Sequence, residues 1–366
     1  MLKLYSDERF LPAGLPLNRL LTPFWGNPDG NENYSEFARV GRGFLEMTGP
    51  GEADVAALPF EGGLLIDGGH PGHAAAVEAG DRFFGHARSF GLRTVVLINN
   101  DRVTKVGGPG TVVFRTSMDR RTRAGREHAM PAWSCDLFRR HGGGLVVRDK
   151  AAVPTVGFCG VVASRLPPLT RRLRMFARRA GRPLGLNIPH RDGVYLRQAA
   201  MDALAGSGEV RTNFLKRSSY YGGDVGDPSL HDRARREYTE NTLGSDYVLC
   251  VRGYGNFSFR FFETMSLGRI PVLIDTDCVL PFDDLFDYRE FCVVVPEARI
   301  GRVAEEVARF HARLTPEGFR GLQARNRRFW EEWLSPEGFF RNAGRYLKRV
   351  GPGAARERPL GEGLPR

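Results

Sequence analysis

Apolar residues along the chain fall into two patterns: short runs rich in Val and Ile, and longer segments with the three- and four-residue spacing of amphipathic helices. The short runs predict strands, and the longer segments predict helices between them. Strands that alternate with helices are typical of parallel sheets in an α/β fold. The predicted strands are MLKLYSD, GGLLID, RTVVLINND and TVVFRTS in the first part, and TVGFCGVV, VRTNFLKR, DYVLCVRG, IPVLID and CVVVPE in the second.

The predicted helices separate these runs in both parts of the chain. Gly91 supplies a stop signal for one of them. A long amphipathic segment near the C-terminus, PEGFRGLQARNRRFWEEWL followed by FFRNAGRYLKRV, predicts a helix interrupted at Ser335-Pro336. The other predicted helices are NYSEFARVGRGFLEM, HAAAVEAGDRFFGHARSFG, DGVYLRQAAMDALAGS, HDRARREYTENTLGS and FSFRFFETMSLGR.

The length of the chain favours two domains. At 366 residues it exceeds what one hydrophobic core usually serves. The stretch RDKAAVPT, around Asp149 to Pro154, predicts a crossing between two α/β units. We expect these units to be Rossmann-like and to face a cleft, with the C-terminal helix crossing back to the first. The tail lacks the apolar content to fold. The expected divisions are a first domain at 1–150, a second at 151–335, a C-terminal helix at 336–350 and a disordered tail at 351–366.

The composition is ordinary for a globular protein in water, with 42% hydrophobic and 26% charged residues. No run of 18 or more apolar residues occurs, and MLKLYSDERF places acids where a secretory signal needs an apolar stretch. We therefore expect a cytoplasmic protein, with a peripheral position on the inner membrane face left open. Five widely spaced cysteines, mostly in apolar runs, predict buried reduced thiols: Cys135, Cys159, Cys250, Cys278 and Cys292.

The formal charge of +11 is unevenly distributed. Residues 102–182 contain eighteen Lys and Arg against four acids, so the rest of the chain is slightly acidic. A basic centre indicates an anionic partner, such as a nucleotide, an anionic glycan, nucleic acid or a phospholipid surface. The alternative is that RRLRMFARRAGR is only a solvated helix face.

The stretch RGYGNFSFRFFETMSLGRIPVLID combines several features of an anion site. DYVLCVRG predicts a strand that ends at Arg252, and ligands collect outside the carboxyl ends of strands in an open parallel sheet. Gly253 and Gly255 let the backbone approach a ligand closely. Asn256 or Ser258 can cap the next helix, whose N–H groups and dipole favour phosphate.

Charged groups before and within that helix strengthen this interpretation. Arg252 offers a guanidinium fork suited to phosphate oxygens. Arg260 and Glu263 share a helix face, and a carboxylate there can accept hydrogen bonds from a ribose diol. The stretch therefore contains groups that can bind the diphosphate and the ribose of a nucleotide. Two glycines in a turn are a weak signal alone, and Arg260 with Glu263 also fits a surface ion pair.

Residues from about 155 to 295 resemble the C-terminal domain of exostosin-type glycosyltransferases, a family of inverting, metal-variable enzymes with the two-domain GT-B architecture. The resemblance rests on NFLKR followed by a glycine pair, on SDYVLCVRGYGNFSFRFFETMSLGRIPVLIDTDCVLPF and on DLFDYREFCVVV. VFRTSMDRRTRAGREHAMPAW, at 113–133, resembles the linker-side part of the same family. The match of the first hundred residues is much weaker.

The resemblance implies a GT-B-like fold, with an acceptor-side first domain and a second domain that binds a nucleotide sugar, a UDP- or GDP-sugar. It implies that Arg252, Gly253 and Gly255 face the donor diphosphate, with Ser258 and Arg260 lining the same pocket. Glu263 would hold the ribose, and Asp275 and Asp277 would lie near the donor sugar or the cleft mouth. We recognise neither the Golgi anchor nor the second catalytic domain of animal members in this sequence, and we therefore expect a bacterial-style cell-surface polysaccharide as the acceptor instead of a heparan-like glycan.

An inverting transfer needs a group that takes the proton of the acceptor hydroxyl. The candidate bases are Asp67 in LLIDGGHPGH, Asp101 in LINNDR and Glu127 in GREHAMPAW. Each also fits a turn, a cap or a core group. His70 and His73 lack a nearby third ligand, so no metal site is predicted and metal dependence stays open.

Other classes of protein fit the sequence less well. A dinucleotide oxidoreductase needs GxGxxG after its first strand, whereas Gly253 and Gly255 lack the third glycine and lie late in the chain. A nucleic-acid binder would explain the basic segment, but RRLRMFARRAGR has few interleaved aromatics, and no nucleic acid is expected. A non-catalytic protein that binds an anionic glycan or nucleic acid is the alternative to a transferase.

Overall fold

The structure is a computed structural model of the chain, and it describes most of the sequence. The described residues are 1–101, 104, 106, 110–134, 136–140, 144–162, 173, 193–218 and 228–347. The basic stretch RRLRMFARRAGR, the glycine pair after NFLKR, Cys135 and the tail at 351–366 lie outside the described residues, except for Leu173. The predictions made for these parts of the chain therefore stay predictions.

Two parallel sheets form the centre of the protein. The first has six strands in the order β2-β1-β3-β4-β5-β6, and the second has five in the order β11-β10-β9-β7-β8. Every strand pair in both sheets is parallel. The strands are β1 Leu2–Tyr5, β2 Leu45–Met47, β3 Val55–Ala57, β4 Thr94–Ile98, β5 Thr111–Arg115, β6 Glu127–Ala129, β7 Thr155–Val161, β8 Arg211–Arg217, β9 Tyr247–Cys250, β10 Ile270–Asp275 and β11 Val293–Pro296.

Helices lie in many of the connections between strands, as is usual for parallel sheets, although β5 and β6 pair in parallel across a connection at 116–126 that contains no helix. A five-residue π-helical turn, Trp330–Leu334, joins the last two helices, and short 3-10 turns such as Gly62–Leu65 lie in several loops. The α-helices are α1 Thr22–Trp25, α2 Ser35–Val40, α3 His73–Ser89, α4 Leu137–Arg140, α5 Gly193–Ala205, α6 Pro228–Leu243, α7 Phe259–Ser266, α8 Val303–Ala312, α9 Pro316–Phe329 and α10 Pro336–Leu347.

The C-terminal helix packs on the first sheet although it follows the second sheet in sequence. Phe339 and Phe340 of α10 are buried in one cluster with Leu4 and Phe114 of the first sheet. Phe114 and Phe339 meet edge to face with ring centroids 5.4 Å apart. The predicted α/β fold, with two parallel Rossmann-like sheets and a C-terminal helix that crosses back in a GT-B-like arrangement, is confirmed. The predicted domain limits stay a prediction.

Ion pairs between the two halves use much of the positive charge of the described basic segment. Arg148 contacts Asp246 at 2.7 Å, and Arg123 contacts Asp283 at 2.8 Å. Arg120 lies 3.4 Å from Asp277. Exposed pairs contribute little stability individually, but the side chains of Arg148 and Asp246 are 32% and 0% exposed, so this pair is largely shielded from water. The charge asymmetry noted in the sequence therefore serves contact between the halves as well as any ligand.

Some predicted elements were wrong in type. GGLLID, predicted as a strand, forms the 3-10 turn Gly62–Leu65 instead, because its paired glycines favour a turn over a strand. The end of NYSEFARVGRGFLEM leaves the helix and forms β2. The three-residue strands β3 and β6 were not predicted, because three residues are too few to show a period, and the ten-residue helix α8 was also missed.

Candidate functional site

A cleft of about 380 Å³ opens at the carboxyl ends of β7 and β9. The strand order of the second sheet reverses between these two neighbours, and open α/β sheets bind ligands in the crevice at such a switch point. Gly160 and Val161 of β7 line the cleft together with Val251 and Gly253 after β9. Residues of α5, α6 and α7 complete the lining, and Asp101 contributes from the first half of the protein.

The turn GYGN after β9 is held by close backbone contacts. The Gly253 N–H donates to the Phe257 carbonyl at 3.1 Å, which closes the turn. The Gly255 N–H donates to Asp101 Oδ1 at 2.9 Å. A Cβ on Gly255 would lie 2.4 Å from that oxygen and 2.5 Å from the Phe257 ring, so any other residue here would force the Asp101 carboxylate or the Phe257 ring to shift. Both predicted glycines thus shape the turn.

Asn256 fixes the same turn to the first half of the protein. The Asn256 side chain is buried, and its backbone N–H donates to Ser117 Oγ at 2.9 Å. The Asn256 amide donates to the Asp119 carboxylate and accepts a 2.6 Å hydrogen bond from Thr276 Oγ1. The predicted capping role of Asn256 is therefore wrong, because its side chain points to these partners instead of to α7.

Ser258 stands at the N-cap position of α7. Its backbone is extended and its side chain makes no capping hydrogen bond. The residue is buried and lines the cleft. The first N–H groups of α7 and the positive end of its dipole are therefore placed at the cleft, an arrangement that favours an anion.

Glu263 lies inside α7 with its side chain only 9% exposed. Its Oε1 accepts a 3.0 Å hydrogen bond from Arg235 Nη1 of α6, and it does not pair with Arg260. Tyr238 of α6 lies beside it, and burial together with the Glu263 carboxylate raises the pKa of Tyr238 well above its usual value. Tyr238 therefore stays a protonated phenol that can donate a hydrogen bond in the cleft.

Arginines outnumber acids in the lining of the cleft. Arg260 donates to the Cys159 carbonyl at 2.7 Å and stacks over the Phe158 ring at 4.3 Å. Arg197 of α5 is buried and donates to the carbonyls of Val161 and Arg252. Arg217 of β8 and Arg235 of α6 also line the cleft, whereas Asp101 and Glu263 are its acids. This excess of guanidinium groups suits an anionic ligand.

Two predicted donor-site residues lie beside the cleft. Arg252 is buried, and its guanidinium donates to the Tyr254 carbonyl at 2.9 Å. It lines a smaller cavity behind the turn. Asp275, at the end of β10, accepts hydrogen bonds from the N–H groups of Asp277 and Cys278 and borders a separate pocket with Arg120. The structure thus brings Gly253, Gly255, Ser258, Arg260 and Glu263 together and sets Arg252 and Asp275 next to them.

The three candidate bases occupy different places. Asp101 lies at the cleft. Glu127 lies in a buried ion pair with Arg115, at 2.9 Å, and its other oxygen accepts from the Ala124 N–H. Asp67 accepts from the Gly69 N–H in the loop before α3. The cleft lining therefore includes Asp101 but neither Glu127 nor Asp67.

The remaining predictions concern metals, thiols and membrane spans. Within the described ranges, no group of three or more His, Cys, Asp or Glu is placed to hold a metal ion. Four cysteines are free and buried, as predicted, and burial raises the pKa of Cys250 to about 12. In the part of the chain that the structure describes, no helix has the length and apolar character needed to cross a membrane.

Sequence reasoning missed several cleft residues, among them Arg197, Arg217, Arg235 and Tyr238. Arg217 ends the NFLKR motif and is the last residue of β8, and this position at the carboxyl end of a strand could have indicated it. Arg197, Arg235 and Tyr238 lie on helices whose sequences contain many other charged or polar residues. Only the packing of α5 and α6 against the sheet shows which of these side chains reach the cleft.

The two glycines of the turn should respond differently to alanine. Gly255→Ala should destabilise the protein by roughly 1–3 kcal/mol, because its Cβ would overlap Asp101 and Phe257. Gly253→Ala is the matched control, because a Cβ there would meet nothing nearer than Arg197 Nη2 at 3.9 Å. The melting temperature of this variant should equal that of the wild type. Thermal unfolding of both variants checks this. Equal melting temperatures would contradict the packing seen at Gly255.

A sequence model described as the Exostosin GT47 domain matches residues 123–309, just over half of the chain. This segment contains β7 to β11 and every lining residue of the cleft except Asp101. The match therefore covers the second sheet and the site built on it.

Individual proteins match over shorter segments. The chain is 40% identical over 63 residues to Exostosin-1 homolog of Caenorhabditis elegans, which is 17% of this chain and 16% of that protein. It is 27% identical over 101 residues to Exostosin-1a of Danio rerio, which is 28% and 13%. It is 38% identical over 60 residues to Probable glucuronosyltransferase GUT1 of Oryza sativa subsp. japonica, which is 16% and 14%. The matches thus span about a seventh of these relatives.

Among solved structures, TarM aligns with 72% of this chain and 53% of its own, at 10% identity and a TM-score of 0.35. The spinosyn rhamnosyltransferase SpnG aligns with 94% of this chain and 100% of its own, at 10% identity and a TM-score of 0.33. These scores are too low to add to the description of the fold, which rests on the two sheets.

Proposed function

The chain belongs to the exostosin GT47 family, and on that premise we propose that it is a glycosyltransferase that moves a sugar from a nucleotide-sugar donor to a glycan acceptor with inversion. The observation that carries the proposal is the cleft at the switch point of the second sheet. It combines four arginines, a helix N-terminus and a buried carboxylate. A nucleoside diphosphate presents matching chemistry, because its phosphates are anionic and its ribose carries a diol.

The donor diphosphate is assigned to the turn and to the start of α7. Gly253 and Gly255 keep side-chain atoms away from the backbone there, and Ser258 offers an uncommitted hydroxyl at the helix start. Arg260 and Arg197 both line the cleft and supply positive charge there. Oriented donors of this kind stabilise the negative charge that the leaving diphosphate gains as the glycosidic bond breaks.

The ribose is assigned to Glu263. Its carboxylate reaches the cleft from inside α7, where it is shielded from bulk water. Arg235 holds Glu263 Oε1, which fixes the carboxylate, and Tyr238 offers a phenolic donor beside it. A diol that donates to Glu263 would therefore meet an already oriented acceptor. Arg252 and Asp275 would act from behind the turn and from the adjacent pocket.

The reaction assigned to this site is a single displacement. The oxygen of an acceptor hydroxyl attacks the anomeric carbon, and the bond from that carbon to the diphosphate oxygen breaks. The nucleoside diphosphate leaves with the electron pair, and the acceptor proton passes to a base on the first half of the protein. Attack from the face opposite the leaving group inverts the anomeric configuration.

The acceptor is proposed to be a glycan, such as a cell-surface polysaccharide of bacterial style, bound on the side of the first domain. A cytoplasmic position with contact to the inner membrane face through the basic segment is part of the same proposal. Liposome binding before and after joint replacement of Arg171, Arg172, Arg174, Arg178 and Arg179 would test that contact.

Thermal unfolding in the presence of nucleoside diphosphates tests the donor assignment. A ligand that binds only the folded protein at one hundred times its Kd should stabilise it by about 2.7 kcal/mol. We expect UDP or GDP, and the matching nucleotide sugar, to raise the melting temperature. Transfer of a labelled sugar to glycan acceptors, followed by NMR of the product anomer, then tests catalysis and inversion.

Failure of all nucleoside diphosphates to stabilise the protein would contradict the proposal. Binding of an anionic glycan without any transfer or donor hydrolysis would favour a non-catalytic binding protein. Salt-dependent retention of DNA or RNA on a filter would favour a nucleic-acid binder.

A further inference from the structure

Glu61 lies at the carboxyl edge of the first sheet. It follows β3 by four residues and caps the 3-10 turn Gly62–Leu65. Its Oε1 accepts hydrogen bonds from the N–H groups of Gly63 at 3.3 Å and Asn99 at 2.8 Å. Because Asn99 directly follows β4, the carboxyl group is fixed to the ends of two neighbouring strands.

The carboxyl group of Glu61 is surrounded by protein although the residue keeps some accessible surface. Burial raises the pKa of Glu61 to about 7, against the opposing effects of the backbone N–H donors and of Arg19. The charged and titratable groups facing it are Arg19, which pairs with Asp29, and the buried phenol of Tyr34. A carboxyl group in this state can both take and release a proton near neutral pH.

The Asn99–Asp101 segment connects Glu61 to the cleft. Asn99 donates to Glu61, and Asp101, two residues later, accepts from Gly255 in the GYGN turn. Two residues span at most about 7 Å. The Glu61 carboxyl group therefore lies on the side of the first sheet that meets the turn assigned to the donor diphosphate.

We propose that Glu61 is the base that accepts the proton of the attacking acceptor hydroxyl. The role rests on the proposed glycosyltransferase function. Oε1 is occupied by two backbone N–H groups, and among the hydrogen bonds of the described residues none is made to Oε2. As the acceptor oxygen bonds to the anomeric carbon, its proton moves to Oε2, and the nucleoside diphosphate departs with the electron pair of the broken bond.

Glu61→Gln isolates this role because the amide oxygen can still accept from Gly63 and Asn99. We expect kcat/KM for sugar transfer to fall by roughly 10²–10⁴-fold, and the acid limb near pH 7 in the wild-type profile to disappear. UDP or GDP affinity should stay within about twofold of wild type. Glu52→Gln, an exposed carboxylate near the start of β3, is the matched control and should retain both the rate and the acid limb.

A second measurement follows the titration of Glu61 without using activity. The raised pKa means that the folded protein holds a proton that the unfolded chain has already lost between about pH 4.5 and 7. Stability therefore falls as pH rises through this window. The melting temperature of the wild type should fall relative to that of Glu61→Gln over the same range.

Two results would overturn the role of Glu61 while leaving the proposed function intact. In the first, Glu61→Gln transfers sugar at the wild-type rate and its pH profile keeps the acid limb. In the second, Asp101→Asn loses the acid limb and Glu61→Gln keeps it. A loss of activity that follows the melting temperature, with an unchanged pH profile, would assign Glu61 to the structure of the turn alone. Absence of nucleoside diphosphate binding and transfer in the wild type would overturn the proposed function and this role with it.

Discussion

Glu127→Ala should lower the free energy of unfolding by about 3–5 kcal/mol, because it leaves the Arg115 guanidinium buried without its counter-charge. The two side chains are 2% and 9% exposed and 2.9 Å apart. Arg115 also donates to the Thr104 carbonyl at 3.0 Å, which alone cannot offset the lost carboxylate. Denaturant unfolding followed by circular dichroism measures the loss.

The double variant Arg115→Leu, Glu127→Leu is the matched control for this pair. It replaces both charges with apolar groups, and buried ion pairs replaced in this way often regain most of the lost stability. If Glu127→Ala is as stable as the wild type but transfers no sugar, Glu127 becomes a candidate base again. Stability and activity measured on the same samples separate the two roles.

Glu263→Gln should weaken nucleoside diphosphate binding by roughly ten- to a hundredfold, the cost of losing one charge-assisted hydrogen bond. The melting temperature without ligand should change little, because the amide oxygen can still accept from Arg235 Nη1, which lies 3.0 Å from the Glu263 carboxylate. Isothermal titration with UDP and GDP measures the affinity.

Glu240→Gln provides the comparison for Glu263, since Glu240 is an exposed carboxylate on the neighbouring helix α6 and does not line the cleft. Its variant should bind nucleoside diphosphates like the wild type. If Glu263→Gln instead keeps full ligand affinity and loses stability, the Arg235–Glu263 pair only stabilises the fold, and the ribose binds elsewhere.

The second sheet was easier to predict than the first for a physical reason. Its strands β9, β10 and β11 are runs of four to six residues rich in Val, Leu and Ile, as is typical of parallel strands buried on both faces, whereas the edge strand β8 is largely exposed. In the first sheet, β3 and β6 have only three residues each, and the chain around β3 contains Gly and Pro that indicate turns. Their pairing with neighbouring strands decides their structure.

The residues of the candidate site also differ in whether the sequence alone could predict them. The residues found from sequence, from Gly253 to Glu263, are adjacent in the chain, so a local motif could indicate them. Arg197 and Arg235 reach the cleft from separate helices, and Asp101 reaches it from the other half. Such positions depend on tertiary packing. The pKa of Glu61 has the same origin, because burial is a property of the fold and not of the sequence near position 61.

The hydrogen bonds of Asn256 and Gly255 have a consequence for motion. They fasten the donor turn to Ser117, Asp119 and Asp101 of the other half. A hinge movement that separates the halves must break these bonds, so the turn is fully shaped only in the closed state. Donor affinity and closure are then reciprocally coupled: whatever holds the halves together tightens donor binding, and a bound donor must resist opening by the same free energy.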